Sequence, residues 1–516
     1  MMISSRFSPK NNINSNTKTP FNKFYHIVGN NEKSVSVRNY CSSISWFIII
    51  TCSILSLFLA CQNSSIFFRN HGNRSITVDV VRNALNRTVV PGVKSTVQKP
   101  AESSAEHSAG MSDECAGKYI YVLDLPSEFG TDLLENCSSL NPWTDACKLL
   151  ANSGLGPRLN FSDDTVFSGH NWFNTDQWSL EVIFHNRLKQ YNCLTDDYSE
   201  ASAVYVPYYP GLDVGRYLWI SNATLRDETS IKFAKHVSER PEWEKFGGRD
   251  HFLLAGRMTW DFSRGSENLS DVNGWGNRLL HLPEVKNMTT LMLESRPYIE
   301  SEFAIPYPTY FHPSSQNEVR IWQENMRQKN RNYLFSFAGA PRPNMKDSIR
   351  NILIDQCLAS KDENCKYVHT NPDVKPETIM GLFQTSDFCL QPPGDSLTRK
   401  SIFDTIIAGC IPVLFHPGSA YVQYVWHLPK DYSSYSVFIP MDELQQGNVS
   451  IEKKLLEIPK HKIREMREEV IKLIPKIVYA NPNYKVEKFE DAFEVAIKGV
   501  LNRVKRLKIE LKHDGV

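Results

Sequence analysis

The chain has 516 residues, 41% of them hydrophobic and 11% aromatic, which suits two or three cored domains rather than one. A formal net charge of +1 excludes a nucleic-acid binder that works by bulk electrostatics, so no nucleic-acid partner is expected. The chain has no CxxC pair, HExxH or Asp-x-Asp, so neither a metal nor another cofactor is expected.

The first element is apolar. No charged residue occurs between Asn39 and Phe68, and the centre reads SWFIIITCSILSLFLAC. About 20 such residues as a helix span the ~30 Å of a bilayer core. Arg6, Lys10, Lys18, Lys23, Lys33 and Arg38 precede it against a single Glu32. That bias keeps the N-terminus in the cytosol and predicts a single-pass signal anchor with a lumenal body. A cleaved signal peptide is the rival, but the basic tail is long for one. The expected layout is a cytosolic tail over 1–41, the anchor over 42–61 and a polar stem over 62–114.

Nine Asn-X-Ser/Thr sequons follow the apolar segment, at Asn63, Asn73, Asn86, Asn136, Asn160, Asn222, Asn268, Asn287 and Asn448. Eight cysteines also lie beyond it. In an oxidising lumen Cys137/Cys147 and Cys357/Cys365 are natural pairs, whereas Cys389 and Cys410, in apolar runs, are expected to be buried free thiols.

From Cys115 the pattern becomes globular. KYIYVLDLP predicts a strand, and WSLEVIFHNRLKQY a helix with Leu180, Ile183, Phe184 and Leu188 on one face. ASAVYVPYY is the next strand, SIKFAKHVSER a helix and HFLLAG a short buried strand. After the charged helix EVRIWQENMRQKNR the alternation repeats: RNYLFSFAG, KDSIRNILIDQC, TIMGLFQTS, DFCLQPPG, a helix and CIPVLF. The pattern predicts two Rossmann-like α/β domains facing a cleft, over 115–325 and 326–470, with C-terminal helices over 471–516.

Ligands of open α/β sheets bind beyond the carboxyl ends of the strands. In the second half, AGAPRPN offers Gly339 and Arg342 as phosphate contacts. QPPGDSLTRKSIFD offers Gly394, Asp395, Ser396, Arg399 and Lys400 around a helix N-terminus, with Asp404 placed for a ribose. The ordinary alternative makes Asp395 or Ser396 a plain N-cap and Arg399 and Lys400 a solvated face.

YLFSFAGAPRPN, FCLQPPGDSLTRKSIFDTIIAGCIPVLFHPGSAY and WHLPKDYSSYSVFIP resemble exostosin-type glycosyltransferases of family 47. NSGLGPRL, RPEWEKFGGRDHFLLAGRMTWDF and PYPTYFHPSS narrow the resemblance to the plant xyloglucan galactosyltransferase branch. The resemblance runs from Cys115 to the C-terminal helices. It implies a GT-B fold, an inverting mechanism, UDP-galactose as donor substrate, a xyloglucan acceptor and a Golgi membrane address through one helix. Other Golgi wall-synthesis glycosyltransferases are implied as further partners, and an acidic residue on the helix after the Gly-Asp motif matches Asp404.

An inverting transfer needs a base for the acceptor hydroxyl. Asp213, Asp250 and His251 in the first half are the candidates, with Asp261 and Glu181 behind them. Trp172, Phe173, Trp178, Tyr205, Tyr208, Tyr209, Tyr217 and Trp219 form an aromatic set, either an acceptor groove or core. Two readings compete with galactose transfer: the same fold using UDP-galacturonic acid or a UDP-pentose, and a non-catalytic lumenal scaffold or carbohydrate-binding partner.

Overall fold

The computed structural model describes residues 113–513 except 161–165, 221, 266–273, 346–347, 362–363 and 486–488. The chain divides into Met1–Asp79 and Val80–Val516, and every described residue belongs to the second unit. The expected tail, anchor and nearly all of the stem lie outside the described residues, as do Asn63, Asn73, Asn86 and Asn268. Among the described residues no helix is long and apolar enough to cross a membrane.

The first half is a six-stranded parallel sheet in the order β2-β1-β3-β4-β5-β6. Its strands are β1 (Ile120–Val122), β2 (Leu194–Thr195), β3 (Ala203–Tyr205), β4 (His251–Met258), β5 (Thr289–Glu294) and β6 (Glu302–Ala304). Helix α1 (Leu180–Leu188) buries Leu180, Ile183, Phe184 and Leu188, the face that the spacing predicts. Strands β4 and β5 are covered on both sides, which explains the unbroken apolar runs FLLA and LML. Two further helices follow β3: α2 (Pro210–Gly215) and α3 (Ala223–Ser238).

Helix α4 (Gln316–Gln328) leads to a five-stranded parallel sheet in the order β11-β10-β9-β7-β8. It comprises β7 (Tyr333–Ala338), β8 (Cys365–Val368), β9 (Ser386–Gln391), β10 (Ile411–Leu414) and β11 (Val437–Phe438). Helices α5 (Ile349–Ala359), α6 (Pro376–Gln384) and α7 (Lys400–Ile407) fall between its strands. Strands β2, β5, β6, β8 and β11 go beyond the pattern reading; β2 and β11 are two residues each, too short to show a period.

The boundary expected at 470 falls inside α8 (Lys460–Ile477), which packs on α4 and α7. Helix α9 (Ala492–His513) returns to the first half instead. There Phe493 packs edge-on against Phe184 at 4.8 Å, and Arg187 Nε donates to Asp491 at 3.0 Å. Apolar complementarity with α1, not sequence proximity, decides which sheet α9 covers.

Cys137–Cys147 and Cys357–Cys365 are disulfides as expected, and Cys115–Cys193 is a third. The expectation of free thiols at Cys389 and Cys410 is corrected: they are bonded to each other. Strands β9 and β10 are parallel neighbours with Phe388 opposite Ile411, so the return through α7 brings the two Cα atoms to 5.9 Å. Of the described sequons, Asn136, Asn160, Asn222 and Asn448 are exposed. Asn287 is half-buried and its Nδ2 donates to Gly247 O at 2.9 Å.

Candidate functional site

The loop 392–399 leaves the carboxyl end of β9 and is one of the places where the two halves touch. Trp260 Nε1, beyond β4, donates to Ser396 Oγ at 3.2 Å. Thr398 N donates to Glu294 Oε2 at 2.8 Å, at the end of β5, and Tyr307 OH lies 3.0 Å from Thr398 Oγ1. These tertiary bonds hold the loop bent at 395–397 and Arg399 extended, so α7 begins only at Lys400. The expected helix start beside Asp395 and Ser396 is therefore corrected, and neither residue is an N-cap.

Three arginines surround one carboxylate on this loop. Arg342 Nη2 donates to Asp395 Oδ1, and the two side chains keep 26% and 23% of their exposure. Arg350, from α5, reaches into the space that a side chain at Gly394 would take: a Cβ there would lie 2.9 Å from its Nη2. Burial, and then neighbouring Arg342, pull the Arg350 guanidinium down to about 10, with Asp395 opposing. Arg350 Nε is buried without a hydrogen-bond partner among the described residues. Arg399 is pulled down to about 9 by burial and by Arg350 and Arg342, while its Nη1 donates to Pro392 O at 3.1 Å. Like charges in partly dry surroundings repel one another, and an anion held among them would offset that repulsion.

Arg342, Asp395, Ser396 and Arg399 are thus brought together as expected. Gly394 joins them by leaving room for Arg350, not by offering backbone: its N–H already donates to Ser396 O at 2.8 Å. Gly339 is corrected in the same way. Its N–H donates to Val368 O at 3.1 Å, its carbonyl accepts from Tyr367 at 2.9 Å, and a Cβ would strike the Phe337 ring at 2.5 Å. Lys400 and Asp404 leave the site altogether. Lys400 Nζ donates to Asp404 Oδ1 and Oδ2 at 2.9 and 3.0 Å and sits 3.3 Å from the centre of the Tyr310 ring, with both side chains buried. Burial pushes the Asp404 carboxyl up and the Lys400 ammonium down, each opposed by the other. The pair is i, i+4 on one helix, a signal present in the sequence.

The proposed bases move too. Asp250 and His251 stand at the amino end of β4, His251 Nδ1 lying 2.8 Å from Asp250 Oδ1 and Lys508 of α9 3.8 Å from Oδ2. The eight residues of β4 put roughly 23 Å between that edge and the donor loop. Asp213 is buried and bound by Tyr208 OH at 2.8 Å and by Arg216, so it packs α2 in place. Glu181 Oε1 accepts from Gly211 N and Gly256 N, each at 2.7 Å, and Oε2 from Leu212 N at 3.1 Å. Burial lifts its carboxyl to about 7.

Two carboxylates do stand at the right edge. Asp261 accepts from Trp275 Nε1 at 2.6 Å and lies 3.6 Å from Arg257, while burial raises its carboxyl above the usual range. Glu294, the acceptor for Thr398, was not singled out because β5 carried no motif. Of the aromatic set, Trp172, Phe173, Tyr205, Tyr208 and Tyr209 are core, Trp178 and Tyr217 are half-buried, and Trp219 is exposed.

A family model described as "Exostosin GT47 domain" matches residues 114–455. A xyloglucan galactosyltransferase of Arabidopsis thaliana, MUR3, is 52% identical over 400 residues, covering 77% of this chain and 64% of that protein. A probable xyloglucan galactosyltransferase of the same plant, GT12, is 50% identical over 404 residues, covering 77% of this chain and 78% of its own. The plant's xyloglucan-specific galacturonosyltransferase 1 is 41% identical over 394 residues, at 76% and 58% coverage. The chain therefore spans less than two thirds of the length of the first of these relatives.

Proposed function

The chain belongs to the exostosin GT47 family, and on that premise we propose that it transfers galactose from UDP-galactose to xylosyl side chains of xyloglucan with inversion. The two halves then work as a GT-B pair, the second holding the nucleotide and the first the acceptor. The observation that carries the reading is the Arg342–Arg350–Arg399 cluster around Asp395, on the loop where the halves meet.

In the proposed step an acceptor hydroxyl attacks the anomeric carbon as the bond to the diphosphate oxygen breaks. The arginines meet the charge that develops on departing UDP, a role that needs no divalent metal. Asp261 or Glu294 takes the hydroxyl proton, since both reach the carboxyl edge. Transfer should persist in EDTA; loss restored by manganese would place the leaving-group chemistry elsewhere.

The second reading keeps the fold and changes the donor to UDP-galacturonic acid, as the 41% identical relative suggests. Incubating the protein with a xylosylated oligosaccharide and a panel of UDP-sugars separates the readings. Incorporation of galactose alone supports the first, of galacturonic acid or a pentose the second, and of no sugar a non-catalytic partner. We also propose a type II Golgi topology with 42–61 as anchor. Protease protection of the body in sealed microsomes tests it.

A further inference from the structure

Tryptophan is among the most buried residues on average, and two large exposed rings side by side need a reason. Trp143 is 60% exposed and Trp219 52% exposed, and their ring centres lie 5.1 Å apart, edge to face. Trp219 meets Trp275 in the same geometry at 5.1 Å, and Trp275 lies 5.7 Å from Trp260. The run ends at the donor loop, where Trp260 donates to Ser396. Four separate segments of the chain supply these rings.

The rings are held in place. Trp143 lies inside the ring closed by Cys137–Cys147, where Asn141 Oδ1 accepts from the backbone N–H groups of Trp143 at 2.8 Å and Thr144 at 3.3 Å. Trp275 is tied to Asp261 through its indole N–H. Rigid aromatic faces with few torsions lose little entropy when covered, and the apolar C–H faces of pyranose rings are suitable partners. We propose that Trp143, Trp219, Trp275 and Trp260 form a stacking track for the glycan backbone of the acceptor, leading from the surface to the donor loop. The proposal rests on the glycosyltransferase reading and adds to it where the acceptor lies and why a long one should bind more tightly than a short one. Continuity with the site favours a glycan over a second copy of the chain, because a self-association patch has no need to end at the loop that holds the arginines.

The test uses the full chain with Trp143→Ala, Trp219→Ala and the double variant. Acceptors are a short xylosylated oligosaccharide and xyloglucan polymer, each with UDP-galactose. For the polymer, KM should rise roughly three- to tenfold per ring removed, with kcat and UDP affinity unchanged. KM for the short acceptor should barely move, and Trp219→Tyr should restore most of the polymer affinity. Polymer binding without donor gives an independent readout: the parent binds and the double variant binds more weakly, with equal melting temperatures. If the parent transfers no sugar yet shows that binding difference, the glycosyltransferase reading fails and the track stands. Equal KM changes for both acceptors overturn the track. So does an altered sedimentation coefficient with unchanged polymer binding, which makes the tryptophans a self-association surface.

Discussion

Asp395 and Asp404 lie nine residues apart, and each holds a cation, yet the two pairs do opposite work. Arg342 and Asp395 keep about a quarter of their side-chain exposure and share their surroundings with two more arginines, so positive charge is in surplus there. Lys400 and Asp404 retain 8% and 6% and balance each other, with Asp176 a weaker further influence on the ammonium. A balanced, dry pair holds a helix in place, whereas an unbalanced, wetter cluster suits the anion that we propose there. Charge type is alike in the two; surplus and access to water separate them.

The largest expected effect tests the dry pair. Asp404→Ala strands a buried ammonium and should destabilise the protein by about 3–5 kcal/mol, seen as a lowered melting temperature. Joint replacement by Lys400→Met and Asp404→Leu should recover most of it. If the single variant melts like the parent and loses UDP affinity, Asp404 belongs with the arginines after all.

The Cys389–Cys410 bond brackets Asp395 and the Lys400–Asp404 pair, its ends 21 positions apart in sequence. Removing it with alanines should cost about 3 kcal/mol in urea unfolding by loop-closure entropy. UDP affinity of the folded fraction should hold, because Glu294 and Tyr307 tether the loop from the other half.

Glu181 extends the comparison to a dry carboxylate with no balancing cation bonded to it, only backbone donors. Its folded value is raised to about 7 from 4.5, so its contribution is complete below about 4.5 and is lost as pH rises to about 7, then stays level. The loss is up to roughly 3 kcal/mol. The urea midpoint should fall across that window in the parent, and Glu181→Gln should flatten the fall.

Single arginine removals should be the mildest for the fold. Arg350→Ala and Arg399→Ala each take away a charge-assisted contact of about 1.5–3 kcal/mol, a ten- to hundredfold loss in UDP affinity by titration. Melting temperatures should stay level or rise, since a like charge is gone. Unchanged UDP affinity in both would move the donor site elsewhere.

Much of this architecture was legible. Periodicity found α1 and its buried face, continuous apolar runs found β4, β7, β9 and β10, and the long motifs found the family. The meeting of Arg342 with the 392–399 loop was legible because both segments follow the carboxyl ends of strands in one parallel sheet. Arg350 was not, since an arginine on a surface helix is ordinarily a solvated face. The Lys400–Asp404 spacing was visible, but burial decides its role, and burial is a property of packing.

The sequence by itself determined the alternation of strands and helices, the family, and the presence of cations near a β9 loop, because hydrophobic period and motif chemistry are local. The tertiary structure decided the rest. It set which cations share a carboxylate, which sheet α9 covers, that β9 and β10 lie close enough to join Cys389 to Cys410, and that four distant tryptophans form one run. Each of those depends on residues far apart in the chain meeting in space, and only the packed core fixes such distances.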